Sequence, residues 1–351
     1  MVRIVHTGDM HLDSPFAGLP RGVAQLRKEE QRETFLRVVE AAGAYKADIL
    51  LIAGDMFDSR YVSADTVAFL KEAFARIPET AVFIAPGNHD FLAADSPYLT
   101  ENFGENVHIF GDSLSSVAVG DAVVYGYGFS TRFLKEGILP ATRLHEGEKA
   151  GILLLHGDVG TESDYNPIFP SLLEESGLTY AALGHIHSFS GFCRAGETTY
   201  AYCGIPEPRH FDEGEKGGFI RGEISAKEAK LEFVPLSRRQ NVTYHVDITG
   251  LESIEAVRQK IRGLLSPENL YKIVLCGTIS ATMYIDTALL AKELSSSCLY
   301  IKVQDKTAVR TEEAEDSLLE RLFAGKLKER TDAIGTKALR LGLEALRGQK
   351  R

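Results

Sequence analysis

Short apolar runs alternate with stretches of helical spacing at the start of the chain. Arg3–Thr7, Ile49–Ala53 and Ala81–Ala85 are nearly continuous apolar runs, whereas near Leu26–Ala44 and Ala64–Arg76 apolar positions recur at one-turn intervals. This order predicts β-α-β-α layering with strands buried on both faces. Val107–Phe110, Val117–Val119 and Val123–Tyr127 follow as shorter strands, then "GILLLHGD" from 151 and "YAALGHIH" from 180, then strand-like stretches near Thr198–Tyr202, Gly218–Glu223 and Lys230–Val234. Few helical stretches separate them, so a second sheet packed against the first is the expected arrangement. The pattern breaks at "LSRRQN". Beyond it, "VTYHVDI", a helical "SIEAVRQKIRGLL", "LYKIVLCGTI", a helical "DTALLAKEL" and "LYIKVQD" read as β-α-β-α-β. The expected division is therefore a large α/β domain over 1–237, a small α+β domain over 241–305 and a helical tail over 306–351, with Leu318, Leu319, Leu322 and Phe323 at one-turn spacing.

Composition narrows the class. With 351 residues, 44% hydrophobic and 25% charged, the chain can bury one large core plus an appendage. The N-terminus enters a strand without a basic segment, a long apolar run or a small-residue cleavage site, and no stretch approaches a membrane span, so a cytoplasmic protein is expected. Cys193, Cys203, Cys276 and Cys298 show no C-x-x-C spacing; they read as buried thiols rather than a zinc ribbon or disulfide framework. The net charge of −10 argues against a broad basic surface that binds nucleic acid by charge alone. From Arg321 to Arg351, nine Lys/Arg face three Asp/Glu, so the basic residues concentrate in the tail.

The chemistry lies just past the apolar runs. Asp9 and His11 follow the first, two residues apart, and in an extended chain would aim at one spot. "LLIAGDMFD" ends with Asp55, "VFIAPGNHD" with Asn88 and His89, "LLLHGD" with His156, and "LGHIH" with His185 and His187. Loops beyond the carboxyl ends of strands gather in one place in an α/β sheet, so these clusters should converge. Carboxylates, imidazoles and an amide oxygen without cysteine suit divalent ions such as Mn²⁺, Fe²⁺ or Zn²⁺. Seven donors exceed one tetrahedral ion but serve two if a carboxylate bridges, and Asp55 is the natural bridge. Gly54, Gly87, Gly157 and Gly184 flank these residues, as expected where backbone turns tightly or approaches an ion.

"GDMH", "GDMFD", "GNHD", "HGD" and "GHIH", in this order across residues 8 to 187, resemble the motifs of the calcineurin-like metallophosphoesterases. "DMHLDSPF" and "YCGIPEPRHFDEGEKGGF" resemble, within that superfamily, the SbcD-type DNA repair exonucleases and their YhaO-like bacterial relatives. The resemblance implies a four-layer α/β/β/α sandwich of two mixed sheets, a small α+β cap and a helical C-terminal tail. It implies that Asp9, His11, Asp55 and His187 bind one ion, that Asp55, Asn88, His156 and His185 bind the other, and that His89 is the catalytic histidine. Asp90 would orient His89 or, alternatively, cap a helix or turn. Mn²⁺ is the first expectation for the ions, with Fe²⁺, Zn²⁺ or Mg²⁺ as alternatives. On that reading the two cations would supply an activated water and positive charge for the phosphoryl oxygens, and His89 would stabilise charge or protonate the departing oxygen.

Three positions depart from the pattern. Asp58 stands where archaeal and eukaryotic relatives of SbcD commonly carry a histidine with a catalytic role, Ile205 where a small polar residue is usual, and Asp13 where many have glycine. Asp58, Arg209 and His210 are candidate substrate contacts, with a loop aspartate and solvated surface residues as the plainer readings. Hydrolysis of DNA ends is the leading expectation; a small phosphate ester or nucleotide as substrate is the second, and a subunit that mainly docks a partner is the third. The resemblance implies DNA and an SbcC-like coiled-coil ATPase as partners, with a homodimer as a family expectation, and the tail could dock that ATPase through Leu318, Leu322 and Phe323 or pack back onto the body.

Overall fold

The computed structural model describes residues 1–309, except 60, 161, 214, 215, 281 and 282, together with 318–327 and 333–346. It forms two compact units, Met1–Arg239 and Gln240–Arg351.

In the first unit the chain runs β1 (Val2–Thr7), α1 (Arg21–Tyr45), β2 (Ile49–Ile52), α2 (Ala64–Ala75), β3 (Ala81–Ile84), α3 (Pro97–Thr100), β4 (Val107–Ile109), β5 (Ser115–Val119), β6 (Ala122–Gly126) and β7 (Ala150–His156). It continues through α4 (Pro170–Glu175), β8 (Tyr180–Gly184), β9 (Cys193–Ala195), β10 (Thr198–Tyr202), β11 (Gly218–Ile224) and β12 (Ala229–Pro235). Two six-stranded sheets result, in the orders β12-β11-β1-β2-β3-β4 and β5-β6-β7-β8-β10-β9. Both are mixed: β1 to β4 are parallel and β11 runs antiparallel to its neighbours β1 and β12, while β6, β7, β8 and β10 are parallel with antiparallel edges β5 and β9.

The apolar runs are continuous because successive side chains enter different cores. Ile4, Ile49, Leu51 and Phe83 pack between the sheets against Val124, Ile152, Leu154 and Tyr180. Their neighbours Val5, Leu50, Ile52 and Val82 pack under α1 and α2 against Phe35, Val38 and Phe74. On the other side, Leu153, Leu155, Ala181 and Leu183 meet Leu173 of α4 together with Phe129 and Ile168. This is the four-layer α/β/β/α sandwich, its fourth layer built largely from loops around the six-residue α4. Helix α1 begins earlier than its periodicity suggests, directly after Pro20, whose fixed φ suits a helix start.

The second unit contains β13 (Asn241–Asp247), α5 (Ile254–Arg262), β14 (Leu270–Cys276), β15 (Thr278–Ile279), α6 (Thr287–Leu294), β16 (Tyr300–Asp305), β17 (Ala308–Val309), α7 (Leu318–Leu327) and α8 (Ala333–Leu346). Strands β13, β14 and β16 form a parallel three-stranded sheet covered on one face by α5 and α6. Ser253 and Asp286 cap these helices through their side-chain oxygens. The stretch read as a helical tail opens with a strand, because β17 pairs with β15 and buries Val309 against Ala324, Leu339 and Leu343. Leu322 and Phe323, expected on one face, separate: Leu322 is exposed, whereas Phe323 packs into that small core, where Gly342 leaves room for its ring. The side chain of Leu318 lies outside the described residues. Cys203 and Cys298 are buried as expected, but Cys193 and Cys276 are partly exposed.

Candidate metal centre

Asp9 and His11 lie beyond β1 and are not extended. Both adopt left-handed backbone, φ 50° and 47°, as does Asp55 at 49°. Such conformations cost non-glycine residues about 1–2 kcal/mol each and need external support. That support is a ladder between two loops: Asp9 N–H donates to Gly54 O at 2.9 Å, His11 N–H to Asp55 O at 2.8 Å and Leu12 N–H to Met56 O at 2.8 Å. The extended geometry expected for Asp9 and His11 is thus corrected. Their convergence with the other motif residues comes from this loop pairing.

Donor atoms crowd around Asp55. Its Oδ2 lies 3.7 Å from His11 Nε2 and 3.5 Å from His156 Nε2. On one side His11 Nε2 is 3.1 Å from His187 Nε2, and His187 Nε2 is 3.9 Å from Asp9 Oδ1. On the other, Asn88 Oδ1 is 2.9 Å from His156 Nε2. Donor atoms of Asp9, His11 and His187, of Asp9, Asp55 and His156, and of His11, Asp58 and His89 each fall within 4.8 Å of one another. His185 is brought close by its ring, 5.1 Å from that of His156, but its Nε2 faces Asp158 Oδ1 at 3.5 Å, and it joins none of these three groups.

Asp9, Asp55, His11 and His156 are buried. Burial pushes the Asp9 carboxyl up to about 7, with His187 opposing and Asp55 adding to the rise, and burial likewise raises Asp55. Burial holds His156 and His185 down at about 4 and, with Arg209 and His187, keeps His11 well below the usual histidine range. His187 goes the other way: burial alone would lower it, but its hydrogen bond to Glu213 and the Asp9 charge outweigh burial and raise it. Imidazoles beside two buried carboxylates and an amide oxygen are the donor set that divalent cations fit, since a cation relieves the carboxylates' mutual repulsion, takes the imidazole lone pairs and displaces a proton held there.

The surrounding residues revise several expectations. Asp90 does not orient His89. Its carboxylate accepts from Met56 N–H at 2.8 Å, Gly87 N–H at 2.7 Å and the Tyr98 hydroxyl at 2.7 Å, tying the Asp55 loop to the Asn88 loop. His89 Nδ1 instead hydrogen-bonds the Asp58 carbonyl at 2.9 Å, and its backbone N–H donates to Asp55 Oδ1 at 2.9 Å. Arg209 is not a solvated surface side chain. The residue is half-buried with its side chain largely shielded, and its two terminal nitrogens pair with Asp58 and Glu213. Asp58 is correspondingly more than a loop aspartate, its Oδ1 lying 3.3 Å from His11 Nδ1. His210 is exposed and contributes its backbone N–H to Glu213. Sequence reasoning missed Glu213, which accepts from His187 Nδ1 at 3.0 Å. Burial alone would raise this carboxyl, but the His187 hydrogen bond and the Arg209 charge outweigh it and hold it at about 2.

A family model described as calcineurin-like phosphoesterase matches residues 2–189, more than half of the chain, and the protein belongs to that family. It is 29% identical to the metallophosphoesterase YhaO of Bacillus subtilis (strain 168) across 75% of this chain and 67% of that protein. It is 26% identical to the DNA double-strand break repair protein Mre11 of Aeropyrum pernix across 76% of this chain and 69% of that protein. With the Archaeoglobus fulgidus protein of the same name, the identity is 24% across 99% of this chain and 81% of the relative.

Proposed function

We propose that this metallophosphoesterase is a two-metal phosphodiesterase of SbcD type that hydrolyses DNA ends, with Mn²⁺ as its working metal. The observation that carries the reading is the buried Asp55 carboxylate, with Oδ2 between His11 Nε2 and His156 Nε2 at 3.7 and 3.5 Å. Asp9, His11, Asp55 and His187 would hold one ion, and Asp55, Asn88, His156 and His185 the other. The ions would supply a nucleophilic water at neutral pH and positive charge for the phosphoryl oxygens. His89, held through Nδ1 by the Asp58 carbonyl, presents Nε2 to donate a proton to the departing oxygen. Asp90 keeps the Asp55 and Asn88 loops in register for this geometry. The DNA substrate is supported by the archaeal relatives, which are named DNA double-strand break repair proteins.

We assign the small α+β sheet domain the role of a cap that guides the strand, and the C-terminal helices that of docking an SbcC-like coiled-coil ATPase. Leu319 and Leu322 on α7 are exposed and offer an apolar face for such a partner. Among the described residues no helix is long and apolar enough to cross a membrane.

The test is Mn²⁺-dependent degradation of linear duplex DNA by the purified chain, with a small phosphomonoester and the His89→Ala variant alongside. DNA cleavage that disappears in the variant is the expected outcome. Monoester hydrolysis with DNA left intact overturns the nuclease reading for the isolated chain.

A further inference from the structure

Glu213 and Arg209 come from one tight loop. Glu213 Oε2 accepts the backbone N–H of His210 at 2.9 Å, which leaves Oε1 directed at His187 Nδ1 and Arg209 Nη2, each at 3.0 Å. The other terminal nitrogen of Arg209 pairs with Asp58 Oδ1. That same oxygen lies 3.3 Å from His11 Nδ1, and the Asp58 carbonyl holds His89 Nδ1 at 2.9 Å. Side-chain exposure is 7% for Arg209, 6% for Glu213 and 22% for Asp58, so the bridge is largely shielded from water.

We propose that Arg209, by bridging Asp58 and Glu213, is a positioning residue that fixes the tautomer and aim of both His11 and His187. This inference rests on the two-ion reading above. An imidazole whose Nδ1 faces a carboxylate keeps its proton there and turns a bare Nε2 outward, the form that ligates a cation. His187 does so through its hydrogen bond to Glu213 at 3.0 Å, while His11 Nδ1 lies 3.3 Å from Asp58 Oδ1 as a charge contact outside hydrogen-bond geometry, and the two Nε2 atoms meet at 3.1 Å. Two lone pairs at that separation repel unless a cation lies beside them. The guanidinium is what allows both carboxylates to stand there. Without it, two shielded negative charges would face each other across the histidines at a high desolvation cost, and its planar fork holds them at a fixed spacing that lysine cannot reproduce. Both terminal nitrogens spend a hydrogen on these carboxylates, which is the contact through which Arg209 reaches the histidines.

The test uses the full chain without nucleic acid, so it does not depend on the substrate. Calorimetric titration with Mn²⁺ compares wild type with Glu213→Gln and Arg209→Lys, each checked by thermal unfolding. Partners that orient metal-ligating histidines typically contribute about 10–100-fold in affinity. The expected result is a loss of that size for one ion with the other unchanged. Lowered stability with unaltered Mn²⁺ affinity would reduce the bridge to loop packing and overturn the proposal. Long-range ¹H–¹⁵N spectra of the wild-type imidazoles at alkaline pH give a second readout that needs no metal and no variant. Nδ1–H tautomers on His11 and His187 support the proposal, and Nε2–H tautomers refute it. Failure of wild type to bind Mn²⁺ would remove the two-ion reading, while the tautomers would still decide whether the bridge orients the rings.

Discussion

Gly87 shows how closely single residues are fitted to the site. A Cβ there would lie 2.3 Å from Asp55 Oδ1 and 2.8 Å from Asp55 N, so Gly87→Ala must displace the carboxylate at the centre of the donor set. We expect about 1–3 kcal/mol of destabilisation and a fall of at least ~10-fold in Mn²⁺ affinity, read by unfolding and calorimetry. His89→Ala should behave differently. On the proposed proton-transfer role, Mn²⁺ binding should persist while turnover falls by about 10²–10⁴-fold, and full activity would exclude His89 from the reaction. His6 supplies a pH prediction outside the donor set. Its Nδ1 meets the Tyr180 hydroxyl at 2.8 Å, and burial lowers its pKa from 6.5 to about 3. The folded state therefore binds fewer protons than the unfolded one between those values, and stability present above pH 6.5 is lost on acidification. Denaturant unfolding of metal-free wild type and His6→Phe should show the wild type losing about 2 kcal/mol relative to the variant from pH 7 to 5. A constant difference would contradict the shift.

At the scale of elements, α1 is joined to the loop after β10 and to the end of the first unit by buried charge. Arg27 pairs with Glu30 at 2.5 Å and with Glu207 at 2.6 Å, all three about 1% exposed or less, and Arg239 reaches Glu30 at 2.6 Å. Arg27→Met would leave Glu207 without its guanidinium partner, so we expect a loss of about 3–5 kcal/mol by denaturant unfolding. The C-terminal helices separate packing from exposure. Leu343 is fully buried, and Leu343→Ala should cost about 2–5 kcal/mol in the second unit. Leu319 and Leu322 are exposed, so their joint change to Asp should leave stability within ~0.5 kcal/mol and, on the docking proposal, abolish capture of an SbcC-type ATPase. Retained capture would move the docking face elsewhere. The hydrophobic spacing of this stretch announced its helices. It did not separate Leu322 from Phe323, because which side is covered depends on Val309 and Gly342, distant in sequence.

For the whole molecule, strands buried on both faces produced the apolar runs that made both sheets legible in the sequence. The polar clusters marked the site because the loops that follow those strands meet between them. What stayed hidden was set by contacts across the chain: the left-handed turns at Asp9 and His11 depend on the Gly54–Met56 loop, the partners of Asp90 on backbone N–H groups 33 or 34 residues away, and Glu213 on His187, 26 residues before it. With an overall charge of −10, attraction for phosphate would have to be local, supplied by cations held at the buried donor set. Anomalous diffraction from crystals soaked in Mn²⁺ tests that centre most directly. Two peaks flanking Asp55, one beside Asp9, His11 and His187 and the other beside Asn88, His156 and His185, are the expected result. A single peak, or none near Asp55, would contradict it.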